Sequence, residues 1–212
     1  QRHANFEVWA CGNQLELRDP SGFLSNKIGT SVVHEHNDQR IHIEGVVVDE
    51  EKDASLGKFM HVIGGSITSD YLRFPLNDDQ LLEDDIDGDG PSSNISIDEY
   101  IHSNEDGSFA EFSEGKCGDQ DAEVQVFLYT FDEQTDTYSQ TKLEDPASHS
   151  IADEEEVPPG DCIIMEFDVP KDKTDKLCNQ YGVRDMVRCR EFGVEETVHC
   201  EIWQTNYRYG AE

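Results

Sequence analysis

The chain has few basic residues and no long apolar run. It carries 16 lysines and arginines against 47 aspartates and glutamates in 212 residues, which gives a formal net charge of −31. A surface of this sign repels nucleic acid and anionic membranes, so neither is expected as a partner. No apolar stretch approaches the roughly 20 residues that cross a bilayer as a helix, so membrane insertion is not expected either. Cations and basic groups are the ligands that this composition favours.

Signatures of catalysis are also missing. The sequence contains no Gly-x-Ser-x-Gly elbow, no dinucleotide fingerprint and no glycine-rich loop for phosphate. With 47 acidic residues, carboxylate pairs occur throughout the chain, and none singles out glycoside hydrolysis. The pattern therefore favours a binding protein over an enzyme.

The cysteines are not spaced for a zinc ribbon or a thioredoxin-like site, because no two form a Cys-x-x-Cys pair. Their even number predicts up to three disulfides and leaves 15 pairings open. Four of them fall in the last 51 residues, where we expect most of the cross-linking. With a chain that begins at Gln1, they predict a secreted, extracellular protein. The disulfide candidates are Cys11, Cys117, Cys162, Cys178, Cys189 and Cys200.

Short segments of alternating apolar and polar residues predict a mainly β protein. Strands are expected at 6–11, 122–131 and 162–169. The segments 31–36 and 40–44 flank a polar turn and predict a β-hairpin. We expect a disulfide-stabilised sandwich or jelly-roll-like domain.

A small helix-loop-helix insertion is expected within this β fold. Asn77 is a suitable cap for a helix that would run to Glu83, and Ser96–Ile101 resembles the start of a second helix. Before them, Lys58–Thr68 is predicted to be a strand, with a bulge at its two adjacent glycines.

These segments divide the chain into three regions. The first is an N-terminal β region, 1–75, the second is the insertion, 76–116, and the third is a C-terminal, cysteine-rich β region, 117–212. The first and third regions are expected to share one domain. Two β domains joined near residue 117 are the alternative.

The clearest chemical pattern is a loop of alternating carboxylates. Asp85, Asp87 and Asp89 occupy every second position, and Gly88 and Gly90 allow a sharp bend. Ca²⁺ binds roughly 6–8 oxygen ligands, which alternate residues of a tight loop can direct at one centre. The segment therefore predicts a calcium site, with Ca²⁺ as the bound ion.

This loop resembles an EF-hand over residues 77–103. The family pattern of Asp-x-Asp-Gly-Asp-Gly is present, and its later Ile-Ser-x-x-Glu half is matched by Ile95, Ser96 and Glu99. Four residues, 91–94, stand where the family has one. If the extra residues loop outwards, the resemblance implies that Glu99 completes a ligand set with Asp85, Asp87 and Asp89. The insertion also carries a glycosylation sequon at Asn94.

Histidines mark a second metal site, within the predicted hairpin. His34 and His36 lie two residues apart, so a strand places both on one face, and His42 lies across the turn with Glu44 nearby. His-x-His ahead of a glutamate is similar to a cupin motif. The spacing to Glu44 is longer than in that family, and the family's second motif is absent. An exposed polar face of the hairpin is the alternative interpretation.

Three functions follow from these patterns. The first is a secreted, acidic, calcium-binding structural protein of a matrix, cell surface or filament, whose partners are further copies of itself or other extracellular proteins. The second is a secreted hydrolase or cupin-like metal enzyme that uses the three histidines. The third is a carbohydrate-binding module, whose stacking face would comprise Trp9, Trp203, Tyr207 and Tyr209.

Overall fold

The structure is a computed structural model that describes residues 1–20, 26–81, 96–135 and 137–181. Within these ranges the chain is mainly β, as the sequence predicts. No helix among the described residues is long and apolar enough to cross a membrane.

Thirteen strands and two α-helices occur in the described part of the chain. The strands are β1 (Arg2–Ala10), β2 (Asn13–Leu17), β3 (Ile28–Gly29), β4 (Val33–Glu35), β5 (Arg40–Ile43), β6 (Ser66–Ile67), β7 (Leu72–Leu81), β8 (Ile101–Asn104), β9 (Gly107–Phe112), β10 (Glu114–Cys117), β11 (Gln120–Asp132), β12 (Thr137–Lys142) and β13 (Cys162–Asp168). The α-helices are α1 (Glu50–Asp53) and α2 (Leu56–Ile63), and single 3₁₀ turns lie at Asp98–Tyr100 and Pro146–Ser148.

Strand β1 lies at the centre of a curled sheet. One of its edges pairs in parallel with β13, which pairs antiparallel with β11. The other edge pairs with β5 over Arg2–Asn5 and then with β2 at Trp9 and Ala10. The N-terminal and C-terminal regions therefore share one sheet in the order β10-β11-β13-β1-β2-β7-β9-β8.

Successive side chains of β1 point to opposite faces of the sheet, and both faces are buried. One face carries Ala4, Phe6 and Val8, which join the larger apolar core together with α2. The other face carries Glu7, which is buried, and Trp9, which packs against a smaller cluster rich in aromatic side chains. The sheet is thus covered on both sides around β1.

Residues 58–63 form part of helix α2, so the strand predicted at Lys58–Thr68 is wrong there. The Ser55 side chain caps the helix by accepting a hydrogen bond from the Lys58 amide at 3.2 Å, and Gly64 ends it in the left-handed region at φ 94°. Four apolar side chains that follow a helical period are buried. They are Leu56, Phe59, Met60 and Ile63.

The helix predicted to begin at Asn77 is also wrong, because residues 72–81 form strand β7. Pairing of β7 with β2 and β9 decides its conformation, and this tertiary context outweighs the local helix signals. At the other end of the insertion, a single 3₁₀ turn at Asp98–Tyr100 leads directly into β8. Residues 82–95 lie outside the described residues.

Two disulfides are present in the described part of the chain. Cys11 bonds to Cys117 within the larger core, and Cys162 bonds to Cys178 within the smaller cluster. The second bond lies in the C-terminal segment, where most cross-linking is expected, whereas the first closes a separation of 106 residues. The disulfides indicate an oxidising setting. Cys189 and Cys200 lie outside the described residues.

Candidate metal centre

The three histidines of the predicted hairpin come together in the structure. His34 and His42 are directly opposite each other in the β4–β5 pair, and His36 follows two residues after His34 on the same face. The nitrogen atoms that the three side chains offer all lie within 4.8 Å of one another. We call this set the histidine triad.

The rings of the triad are packed at distances that suit a shared ion. The centroid of the His36 ring lies 4.7 Å from that of His34 and 4.8 Å from that of His42, and the His34 and His42 centroids are 5.4 Å apart. Imidazoles bound tetrahedrally to Zn²⁺ have ring centres about 5 Å apart and donor atoms about 3.4 Å apart. The ring spacing thus matches. The donor nitrogens are up to 4.8 Å apart and the planes of His34 and His42 differ by only 5°, so these rings have to turn before their lone pairs point at one ion.

Hydrogen bonds fix which nitrogen two of the rings offer. Nδ1 of His36 lies 2.6 Å from the carbonyl oxygen of Asn26, and Nε2 of His42 lies 3.1 Å from a carboxylate oxygen of Asp38. Both oxygens accept, so these nitrogens carry the protons. Nε2 of His36 and Nδ1 of His42 therefore hold the lone pairs. This is the arrangement by which metal-ligating histidines are oriented.

His34 is the buried member of the triad. Its relative exposure is 0%, and neither ring nitrogen forms a hydrogen bond with a described residue. Burial lowers the pKa of His34 to about 4, with further lowering by the charge of Lys27. The ring is therefore neutral near pH 7, which is the form that binds a metal.

The turn between β4 and β5 is held by a buried carboxylate. Glu35 accepts hydrogen bonds from the amides of Asn37, Asp38 and Gln39 at 2.6, 2.6 and 3.0 Å. Asn37 and Gln39 lie in the left-handed region, at φ 64° and 56°. These bonds offset the local strain and hold His36 and Asp38 beside His42.

Glu44 does not join the triad. Its half-buried side chain instead accepts hydrogen bonds from Gln1 at 2.7 Å and Lys27 at 3.4 Å. The triad thus supplies three nitrogen ligands without the glutamate that the cupin-like interpretation requires.

A fourth histidine, which the sequence pattern did not reveal, lies beside the triad. His3 is directly opposite His42 in the β1–β5 pair, and the two ring centroids are 4.8 Å apart. Nothing local in the sequence links residues 3 and 42. The alternation of polar residues along β1 (Arg2–Ala10) predicts only that His3 shares a face of the sheet with Glu7, and it does not indicate which strand lies beside it.

A separate cleft of about 260 Å³ opens where pairing along β1 passes from β5 to β2. It is lined by Glu7, which accepts hydrogen bonds from the Trp9 indole at 2.9 Å and the Asn179 amide at 3.2 Å. Burial raises the pKa of Glu7 to about 7. Glu35 also lines the cleft, and its carboxylate is fully used by the turn described above.

The remaining predicted sites are described only in part. Asp85, Asp87, Asp89 and Asn94 lie outside the described residues, so the calcium site and the glycosylation site stay predictions. Glu99 is exposed within the 3₁₀ turn.

Trp9 is not a free stacking surface. Its ring is partly buried, and the Lys176 ammonium lies 4.7 Å above the ring centroid. The other aromatic residues of the proposed carbohydrate face, Trp203, Tyr207 and Tyr209, lie outside the described residues.

No protein-family model, no curated protein and no solved structure matches this chain. The histidine triad therefore has to be interpreted from its own geometry.

Proposed function

We propose that this protein binds one divalent transition-metal ion of the zinc class through His34, His36 and His42. The observation that carries this proposal is His34, a buried imidazole whose two nitrogens have no hydrogen-bond partner among the described residues and which packs against two oriented imidazoles. Leaving a buried polar atom unpaired costs roughly 1–3 kcal/mol. A bound ion offsets that cost and uses the lone pairs that the neighbouring rings present.

The ligand type points to the class of metal. Imidazole nitrogen suits Zn²⁺, Cu²⁺ and Ni²⁺, whereas Ca²⁺ and Mg²⁺ prefer oxygen. The ion would join β4 to β5, so its binding free energy would stabilise the hairpin. We further propose that this takes place in a secreted protein, which the disulfides support.

Calorimetric titration of the chelator-treated full chain with Zn²⁺ tests the proposal. The experiment requires about 0.15 M salt and millimolar Ca²⁺, because a net charge of −31 collects cations without a specific site. We expect one Zn²⁺ per chain. His34→Ala and His42→Ala should each weaken binding by more than about 100-fold, since changes outside the ligand set already cost 10–100-fold.

His61→Ala is the matched control, because His61 is exposed on helix α2 and lies outside the triad. It should bind Zn²⁺ as tightly as the parent chain. If Zn²⁺ binding were weak and equal in all four proteins, the triad would not be a metal site. The three histidines would then be only the polar face of a hairpin.

A further inference from the structure

We infer that His3 is the fourth nitrogen ligand of the metal at the histidine triad, which makes the centre a closed, four-imidazole site. This inference rests on the function proposed above and names the residue that completes the site. It also bears on the role of the ion, since a closed site holds structure together while an open one leaves room for substrate or water.

The sheet register brings His3 to the triad. His3, His42 and His34 are directly opposite one another on three adjacent strands, β1, β5 and β4. Directly opposed residues project from the same face of a sheet. The 4.8 Å between the ring centroids of His3 and His42 falls within the 4.7–5.4 Å that separates the rings of the triad.

The hydrogen bonds of His3 repeat those of the triad. Its Nδ1 is bonded to the carbonyl oxygen of Glu155, so Nδ1 carries the proton and Nε2 holds the lone pair. Nε2 is buried and forms no hydrogen bond with a described residue. A lone pair buried in this way, beside the ring of His42, requires a proton donor or a cation.

The His3 nitrogens lie outside the group that falls within 4.8 Å, so ligation requires its ring to turn towards the triad. The backbone does not have to move. His3 is held by pairing with His42 and by a 2.8 Å hydrogen bond from its amide to the carbonyl of Glu154. Rotation about the two side-chain torsions turns the ring, and it exchanges the hydrogen bond between Nδ1 and the Glu155 carbonyl for the bond to the metal.

Four nitrogen ligands limit which metal ions suit the site and in which geometry they bind. Zn²⁺ in structural sites takes four protein ligands, and four nitrogens in a tetragonal arrangement suit Cu²⁺. The ion would also connect β1 to the β4–β5 hairpin. The centre would then act as a cross-link of the sheet and not as a site of turnover.

Electron paramagnetic resonance of the Cu²⁺-loaded full chain counts the bound imidazole nitrogens. We expect four in the parent chain and three in His3→Ala, with an affinity that falls by more than about 100-fold, as for the other ligands. His3→Phe keeps a ring against His42 and favours the strand, so it should fold even if His3→Ala does not, and it should lose the same nitrogen. His61→Ala should keep all four.

Three imidazoles in both the parent and His3→Phe would overturn the inference while leaving the proposed function intact. A weaker affinity with an unchanged nitrogen count would overturn it as well, because His3 would then act outside the ligand set. No binding above the level of a His34→Ala, His36→Ala, His42→Ala triple variant would overturn the proposed function, and this inference with it.

Discussion

The two faces of the sheet around β1 are both buried but differ in chemistry. On the face that packs against α2, the buried side chains of β1 are apolar, and Phe6 contacts Phe59 with 5.0 Å between ring centroids. The opposite face buries polar groups. They are Asn5, Glu7, His34, Gln125 and Glu166, which are each 4% exposed or less.

Burying polar groups has a cost unless each finds a partner. Glu7 and Gln125 find theirs in the protein, and Glu166 forms a hydrogen bond with Thr174 at 2.8 Å. His34 does not, among the described residues. The comparison teaches that one face is built of apolar contacts, and that the other holds His34 and Glu7, on which the proposed metal binding and the expected pH dependence rest.

The largest expected losses of stability come from removing the disulfides. One disulfide lies in the apolar core on one face of the sheet, and the other lies in the aromatic cluster on the opposite face. In the chain-entropy account, removing a cross-link costs about 4.7 kcal/mol for a loop of 100 residues and about 3 kcal/mol for one of 15. Replacing Cys11 and Cys117 by alanine should therefore cost more free energy of unfolding than replacing Cys162 and Cys178, whose separations are 106 and 16 residues. Urea unfolding of both double variants measures the difference. An equal or reversed order would show that contacts of the smaller cluster depend on its disulfide.

A core truncation comes next. Phe59 is 0% exposed in helix α2, so Phe59→Ala should lower the free energy of unfolding by about 3–5 kcal/mol. Trp9→Ala, on the opposite face, should cost less because the Trp9 ring is only partly buried. The shift of the denaturant midpoint measures the loss in each variant, provided that the slope of the transition is unchanged. A larger loss for Trp9→Ala would mean that the smaller cluster, and not the α2 side, dominates stability.

The third prediction concerns Glu7 and pH. Its pKa of about 7 lies above the ordinary value of 4.5, so the folded state holds the proton more tightly than the unfolded state. Stability relative to Glu7→Gln should therefore be highest below about pH 4.5 and fall by up to roughly 3 kcal/mol as the pH rises to about 7. Unfolding of both proteins from pH 4.5 to 8 tests this.

Exposed Glu114 supplies the control for that series. Glu114→Gln should follow the parent chain across the whole pH range, because both proteins keep the buried carboxyl. A parent curve parallel to that of Glu7→Gln would show that Glu7 is ionised without cost, through the bonds from Trp9 and Asn179.

Local patterns predicted the hairpin but not the sheet around it. The alternation at 31–44 gave β4, the turn and β5, and with them the three histidines of the triad. A helix signal was also present at Ser55 and the apolar positions after it, but the glycine pair at 64–65 suggested a strand with a bulge instead. Gly64 is the helix cap.

Non-local pairing accounts for the other differences. Asn77 lies in a strand because β7 is held between β2 and β9, which no property of the local residues indicates. His3 reaches His42, and Cys11 reaches Cys117, only because strands distant in sequence are adjacent in the sheet. Such contacts are set by the whole arrangement of strands, which periodicity within one segment does not encode.

The smallest expected effect is that of His34→Leu on the free energy of unfolding, and its sign depends on whether metal is bound. In chelator, His34→Leu replaces two buried nitrogens that have no hydrogen-bond partner among the described residues by apolar groups, so it should raise the free energy of unfolding by about 1 kcal/mol. With free Zn²⁺ at 100 times its dissociation constant, the parent chain should gain about 2.7 kcal/mol and the variant almost none. The order of the two proteins would then invert.

Unfolding in chelator and in Zn²⁺ measures that crossing, with His61→Leu as the exposed control that should show no inversion. If His34→Leu were less stable than the parent by more than 1 kcal/mol even in chelator, the ring nitrogens of His34 would have protein or water partners of their own. The polar face would then resemble the apolar one in being built for stability. A crossing, in contrast, would mean that the protein accepts a less stable metal-free state in order to bind the ion.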